Sequence, residues 1–199
     1  MRRLSLQRVS RHPALGEVDL EPFSAIAADA VAVRLLAPRA RFSLRLDPSL
    51  LSTIEQAAGF ALDMPINRRI VSAEGTAMRL GPDEWLLSGP EGATDRIARD
   101  VAAALAGRHY SLVDVSHRQI ALAVAGSRAA DVINSGCPLD LSPPACAAGF
   151  ATRTLLGKAE VVLAKTDDAP SFEIECARSF AAYVCGFLFE AAREFRVQP

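Results

Sequence analysis

Residues 110–124 constrain the fold more than any other stretch of the chain. Two apolar runs of β-forming residues, Leu112-Val113 through Val115 and Ile120 through Val124, flank a polar break, Ser116-His117-Arg118-Gln119. The chain on either side reads as one structural half, so this segment is the seam of the molecule. Asp114, Ser116 and His117 are the residue types of a hydrolase triad. On a strand, however, alternate side chains point to opposite faces, which sets His117 against Asp114 and Ser116. A relay needs nucleophile, base and orienter to converge. No Gly-x-Ser-x-Gly elbow occurs in the sequence. The expected role of the three is hydrogen bonding that fixes the bend between two strands.

The composition narrows the partners. The 199 residues suit one large domain or two small lobes that share a core. Half of them are hydrophobic and the mean hydropathy is +0.18, which leaves apolar surface for a partner. A net charge of −1 does not favour nucleic acid. Cys137, Cys146, Cys176 and Cys185 form no C-x-x-C pair and read as reduced, partly buried thiols of a cytoplasmic protein. His12, His109 and His117 are not at metal-ligand spacing with them, so no metal site is expected. Arg2, Arg3, Arg8 and Arg11 precede no apolar segment of the secretory type and read as part of a mobile or partner-bound arm. The longest apolar run, residues 180–189, is shorter than the roughly 20 residues that cross a bilayer.

Taken in order, residues 1–30 read as an extended arm, 31–36 as a strand and 41–46 as a half-buried strand. Asp47-Pro48 opens a helix with Leu50, Leu51, Ile54, Ala57 and Ala58 as its stripe and Gly59 as its stop. Residues 64–69 read as loop. Residues 76–80 and 84–88 form a hairpin around Gly81-Pro82-Asp83, with Trp85 as a core or interface anchor. A helix then places Ile97, Val101 and Leu105 on one face and ends at Gly107. Beyond the seam come a short helix through Ile133, a proline-rich loop over 137–144, strands at 151–156, 159–165 and 171–176, and a last helix over 179–195. That helix is apolar on two sides. Phe180, Tyr183, Val184, Phe187, Leu188, Ala191 and Phe195 follow one stripe, while Ala182, Cys185, Gly186 and Phe189 fall opposite. Either the N-terminal arm or another chain must cover the second side, and Trp85, Ala182, Cys185, Gly186 and Phe189 are the candidate partner contacts.

The elements of 41–106 recur in 118–195. The fold class is therefore α+β, with two ferredoxin-like βαββα-type halves, each an antiparallel sheet with helices packed on it. The expected division is an arm over 1–30, a first lobe over 31–109 and a second over 110–199. No catalytic apparatus emerges. Gly157-Lys158-Ala159 lacks the other residues of a phosphate loop, and Asp83-Glu84 and Asp167-Asp168 sit at turn tips. Arg118, Arg153 and Lys158 are the cations nearest the apolar strands. No residue is assigned a catalytic, cofactor-binding or metal-binding role.

Five blocks together carry a resemblance: Leu80-Gly81-Pro82-Asp83-Glu84-Trp85-Leu86-Leu87, Val113-Asp114-Val115-Ser116-His117-Arg118-Gln119, Gly136-Cys137-Pro138-Leu139-Asp140-Leu141, Thr152-Arg153-Thr154-Leu155-Leu156-Gly157-Lys158-Ala159-Glu160 and Arg178-Ser179-Phe180-Ala181-Ala182-Tyr183-Val184. In order and spacing they resemble the gamma subunit family of heterotetrameric sarcosine oxidase. That family is related in fold to the folate-binding domain of aminomethyltransferases and of tRNA-modifying GTPases. The resemblance implies a non-catalytic scaffold in a complex with alpha, beta and delta subunits. The complex converts sarcosine to glycine, hydrogen peroxide and either formaldehyde or 5,10-methylenetetrahydrofolate. FAD, FMN, NAD and tetrahydrofolate are then expected on the other subunits and none in this chain. Asp114-Val115-Ser116-His117 resembles the Asp-Val-Ser-His of the aminomethyltransferases. Their Gly-Gly-Ile-x-Asp segment corresponds to Gly157-Lys158-Ala159-Glu160-Val161, which puts Val161 in the place of the folate-serving acid. The alternative is a stand-alone folate-binding or methyl-transfer protein, for which only Glu160, Asp114 or Asp140 could supply the acid.

Overall fold

Two five-stranded antiparallel sheets stand back to back, each with helices on its outer face. The structure, a computed structural model, describes residues 20–197. In chain order the strands and helices are β1 (Ala32–Leu35), β2 (Arg39–Leu46), β3 (Gln56–Ala57), β4 (Phe60–Ala61), β5 (Arg68–Ser72), β6 (Gly75–Arg79), β7 (Glu84–Pro90), α1 (Thr94–Ala104), β8 (Tyr110–Asp114), β9 (Gln119–Ala125), α2 (Ala129–Asn134), β10 (Ala151–Leu156), β11 (Ala159–Lys165), β12 (Ser171–Ala177) and α3 (Ala181–Ala192). The first sheet runs β5-β6-β7-β2-β8 and the second β10-β11-β12-β9-β1.

Those two orders are the same topology written twice, so the repeat of elements seen in the sequence is a repeat of sheets. One strand differs in origin. β8 follows α1 and closes the first sheet beside β2, with Leu44 opposite Leu112. The matching edge of the second sheet, beside β9, is filled by β1 from the start of the chain, with Val33 opposite Val124. The chain therefore crosses between the sheets twice, once from β1 to β2 and once at the seam from β8 to β9. The sheets do not divide at 109/110: β8 belongs with the first and β1 with the second. Packing explains both placements, because Tyr110 and Leu112 lie on the first core and Val33 on the second.

Three further segments differ from expectation. Residues 48–58 do not form an α-helix. Asp47 caps a 3-10 turn, Pro48–Ser52, by accepting from the Ser49 N–H at 2.9 Å, and the chain then turns into the β3–β4 hairpin. Ala58 and Gly59 carry the positive φ angles of a two-residue hairpin, 51° and 80°. The residues of the expected stripe still pack into the first core: Leu51, Ile54 and Ala57 are buried, and Leu50 and Ala58 lie against them. Residues 64–69 are not all loop, because β5 starts at Arg68. Of the arm, 1–19 lie outside the described residues. Residues 20–30 are not extended, since Glu21–Ala25 is a 3-10 turn that buries Phe23.

Alternation along each strand builds the layers. On the outer side of the first sheet, Phe42, Leu44, Trp85 and Leu87 pack with Ile97, Val101 and Leu105 from α1 and the residue after it. Trp85 is fully buried there and donates from its indole N–H to the Leu62 carbonyl at 3.0 Å. It is a core residue and not a partner contact. On the outer side of the second sheet, Leu122, Val161, Leu163, Phe172 and Ile174 pack with Val132 and Ile133 of α2 and Val184 and Leu188 of α3.

The layer between the sheets is thin and mixed. Its apolar part is Met78 and Leu86 against Ala151, Val162 and Ala164. The remainder is charged. Arg41 Nε donates to Glu175 Oε2 at 2.8 Å, with both residues 1 % exposed. Arg39 holds Glu173 through two contacts of 2.6 and 3.2 Å. Glu84 Oε1 accepts from Arg153 at 2.7 Å and its Oε2 from Arg45 at 3.1 Å, which ties the β7 turn to β10. The sheets also join at one edge, where the Arg69 N–H meets the Gly149 carbonyl at 2.7 Å and the Ala151 N–H the Asn67 carbonyl at 3.0 Å. Burial pushes the Glu175 carboxyl above its ordinary value, and the Arg41 guanidinium pulls it part of the way back.

Glu175→Ala leaves the Arg41 guanidinium unpaired in a dry layer and lowers the unfolding free energy by about 3–5 kcal/mol. Replacing both residues, Arg41→Met with Glu175→Leu, costs less than either single change; denaturant titration showing the two singles to be additive would contradict the pairing. A carboxyl raised in the fold gives stability at low pH that is lost as pH climbs from the ordinary Glu value, 4.5, through the raised one. Glu175→Gln therefore removes that part of the pH dependence. Separately, Trp85→Phe strands the Leu62 carbonyl and costs about 1–3 kcal/mol, while Trp85→Ala costs about 3–5 kcal/mol, both read by thermal or denaturant unfolding.

Candidate partner interface

The seam holds a cluster of hydrogen bonds. Asp114 Oδ1 accepts from the Ser116 N–H at 2.8 Å and from its hydroxyl at 2.5 Å, closing a tight turn at the end of β8. Ser116 Oγ in turn accepts from the Arg41 N–H at 2.9 Å, and the Arg41 carbonyl accepts from the Val115 N–H at 2.8 Å. The turn thus clamps the backbone of the residue whose side chain reaches Glu175. His117 is exposed on the turn and stands outside this cluster. Asp114 and Ser116 fix the bend, as their residue types suggested, and the three side chains do not form a relay.

The acids available for folate chemistry do not converge either. Val161 is 3 % exposed and packs in the second core, so the place of the aminomethyltransferase acid is filled by an apolar side chain facing helices. Glu160 lies on the opposite side of β11, with its carboxylate 3.7 Å from Arg153 Nε. Asp140 accepts from the Ser142 N–H at 2.9 Å and hydroxyl at 2.6 Å, bonds that hold its carboxyl below the ordinary range. Asp114 is similarly occupied within its own turn. The residues present do not fit a folate-serving acid.

α3 carries the surface features. Its inner side, Ala181, Val184, Cys185, Leu188 and Ala192, is buried. Cys185 is therefore a core residue and not a partner contact. Burial pushes its thiol up to about 11 and that of neighbouring Cys176 to about 12, which keeps both protonated and unreactive. Of the two ways to cover the second side, the chain itself supplies one. Phe23 meets Phe189 edge to face at 5.7 Å, and the Arg196 guanidinium sits 5.3 Å over the same ring. Residues 25–27 and 195–197 are laced together beside α3, with the Ala27 N–H on the Phe195 carbonyl at 3.0 Å and the Val197 N–H on the Ala25 carbonyl at 3.1 Å. Phe189 is thus partly covered from within.

Ala182 and Gly186 remain on the surface. A side chain at Gly186 would meet nothing within 4 Å, which leaves this stretch of α3 open to close approach. Beside it, Phe180 is 42 % and Tyr183 38 % exposed, in mutual edge-to-face contact at 6.3 Å. The helical stripe in the sequence assigned both rings to the inner side. Phe180 lies outside it because the α-helix proper begins at Ala181, after a 3-10 turn, Arg178–Phe180, and Tyr183 borders the buried side, its hydroxyl accepting from the Lys158 N–H at 2.9 Å. Leu155, 49 % exposed, was also missed; its signal is an apolar residue in step with Arg153 on the polar side of β10. No helix among the described residues is long and apolar enough to cross a membrane.

Comparison with known proteins agrees with this architecture. Residues 44–194 match the family described as "Sarcosine oxidase, gamma subunit family". The chain is 33 % identical over 149 residues to the sarcosine oxidase subunit gamma of Corynebacterium sp. (strain P-1), covering 74 % of this chain and 72 % of that one. It is 31 % identical over 171 residues to the subunit gamma from Arthrobacter sp, covering 84 % and 83 %. Among solved structures, a chain of the heterotetrameric sarcosine oxidase from Corynebacterium sp. U-96, in complex with pyrrole 2-carboxylate, superposes with a TM-score of 0.79 at 24 % identity, over 95 % of this chain and 98 % of that one. The glycine cleavage system aminomethyltransferase T from Bartonella henselae superposes with a TM-score of 0.61 at 14 % identity, over 87 % of this chain and 51 % of that one. These two likenesses confirm the shared α+β fold. On the family match and the identities with its members, this chain belongs to the sarcosine oxidase gamma subunit family.

Proposed function

We propose that this chain is the non-catalytic gamma subunit of a heterotetrameric sarcosine oxidase, and that it scaffolds the large subunits. The complex oxidatively demethylates sarcosine to glycine, with hydrogen peroxide and formaldehyde or 5,10-methylenetetrahydrofolate as the other products. Its alpha, beta and delta subunits are the partners, and FAD, FMN, NAD and tetrahydrofolate are bound by those other chains. The complex works in the cytoplasm, without nucleic acid or membrane. The observation that carries this reading, beside family membership, is the pairing of an apolar surface on α3 with acids already engaged in turns and ion pairs. A scaffold needs the first and has no use for a free acid.

Co-expression with candidate alpha, beta and delta chains tests the assembly. The expected outcome is co-purification with flavin-containing subunits; recovery of this chain without any flavoprotein would contradict the scaffold role. Titration calorimetry of the isolated chain with tetrahydrofolate separates the alternative, a stand-alone folate-binding protein. No heat of binding is expected, because Val161 replaces the acid, and micromolar binding would favour the alternative.

A further inference from the structure

One feature of the surface has no role in the fold. A cleft of about 250 Å³ opens at the end of the second sheet where β9 begins and β12 ends, lined by Arg118, Gln119, Glu160, Val162, Ala177 and Phe180. Its floor lies on the side of the sheet that elsewhere faces the first sheet, since Gln119 pairs with Ala177 in register with the buried Ala121–Glu175 pair. Here the first sheet does not cover it. The amide oxygen of Gln119 is buried on this floor with no hydrogen-bond partner, a state that is costly to leave unresolved. Arg118 at the mouth is exposed and makes no ion pair among the described residues. Glu160 is already engaged by Arg153. Leu155, opposite Glu160 in the β10–β11 register, extends the cleft on one side, and Phe180 with Tyr183 extends it on the other. The cleft is thus continuous with the exposed apolar part of α3.

We infer that this cleft is a docking notch for a loop of another subunit. That loop inserts an N–H donor to Gln119, sets a carboxylate against Arg118 and lays an apolar side chain between Leu155 and Phe180. Charge complementarity at the unpaired Arg118 and the unmet acceptor select this chemistry, while exposed apolar side chains on both rims suit a protein segment. A second copy of this chain would offer Arg118 another arginine-bearing notch, and a small solute would leave Leu155 and Phe180 wet. The inference rests on the assembly proposed above and locates one of its contacts.

Hydrogen–deuterium exchange of the chain, free and in the co-purified complex, tests it. Slower exchange is expected in peptides over 115–119, 155–160 and 178–183. Exchange unchanged there, in a complex that does form, overturns the docking notch and leaves the scaffold role standing; absence of any complex overturns the scaffold role instead. Phe180→Asp and Arg118→Glu are each expected to weaken assembly roughly 30-fold, the loss typical of an interface hot spot. Gln119→Leu is expected to melt no earlier than the wild-type chain, because it removes an unpaired acceptor, yet to assemble more weakly. Wild-type assembly by all three variants overturns the inference.

Discussion

Arg41 is the residue on which the two halves depend. Its backbone is clamped by the seam turn through Ser116 and Val115, and its side chain crosses a dry layer to Glu175. Arg39, two residues earlier on β2, reaches Glu173, two residues earlier on β12. The equal offset means that β2 and β12 run in the same direction across the two sheets, with the ion pairs as rungs. The apolar part of that layer is five buried side chains with Leu80 and Val115 packed against them, too little to fix one register alone. Charges buried at this cost tolerate one arrangement, in which each is paired. The clamp therefore does two things: it sets how the sheets face, and it holds the point where the chain recrosses between them.

The same geometry accounts for the absence of chemistry at a segment that looks reactive. Asp114 and Ser116 spend their hydrogen-bonding capacity on the turn and on Arg41, and His117 is exposed. In β11 the strand alternation that buries Val161 against the helices also turns Glu160 to the opposite side, toward Arg153. The alternation in β11 follows from the second sheet presenting a continuous apolar face toward α2 and α3. With Asp114, Ser116 and Asp140 committed to turns, the chain offers partners a surface: the open side of α3, the rings of Phe180 and Tyr183, and the uncovered end of the second sheet.

Much of this was legible in the sequence, and the remainder was not for identifiable reasons. The seam, the hairpin around Gly81-Pro82-Asp83, α1, α2 and α3 announce themselves by local pattern and occupy their expected places. So does the duplication. The exchange of β1 and β8 between sheets is invisible because strand pairing is non-local, and both strands look alike in alternation. Residues 48–58 carried a helical apolar stripe, yet the positive φ at Ala58 and Gly59 turned it into a hairpin that buries the same side chains; burial was readable, but its backbone was not. Trp85 and Cys185 were chosen as partner contacts by residue type and helical position, and only three-dimensional burial excludes them. The candidate interface accordingly keeps Ala182 and Gly186, loses the buried Trp85 and Cys185, and gains the exposed rings of Phe180 and Tyr183.

In the proposed role this chain supplies architecture and no reacting group. The most direct test is the steady-state rate of sarcosine-dependent peroxide formation by the assembled complex carrying His117→Ala and Glu160→Gln in this chain. Each is a titratable group of one of the two motifs that most resemble catalytic ones. An unchanged kcat is expected in a complex of normal composition. Removal of a general acid or base costs on the order of 100-fold or more, and a loss of that size with assembly intact would contradict it.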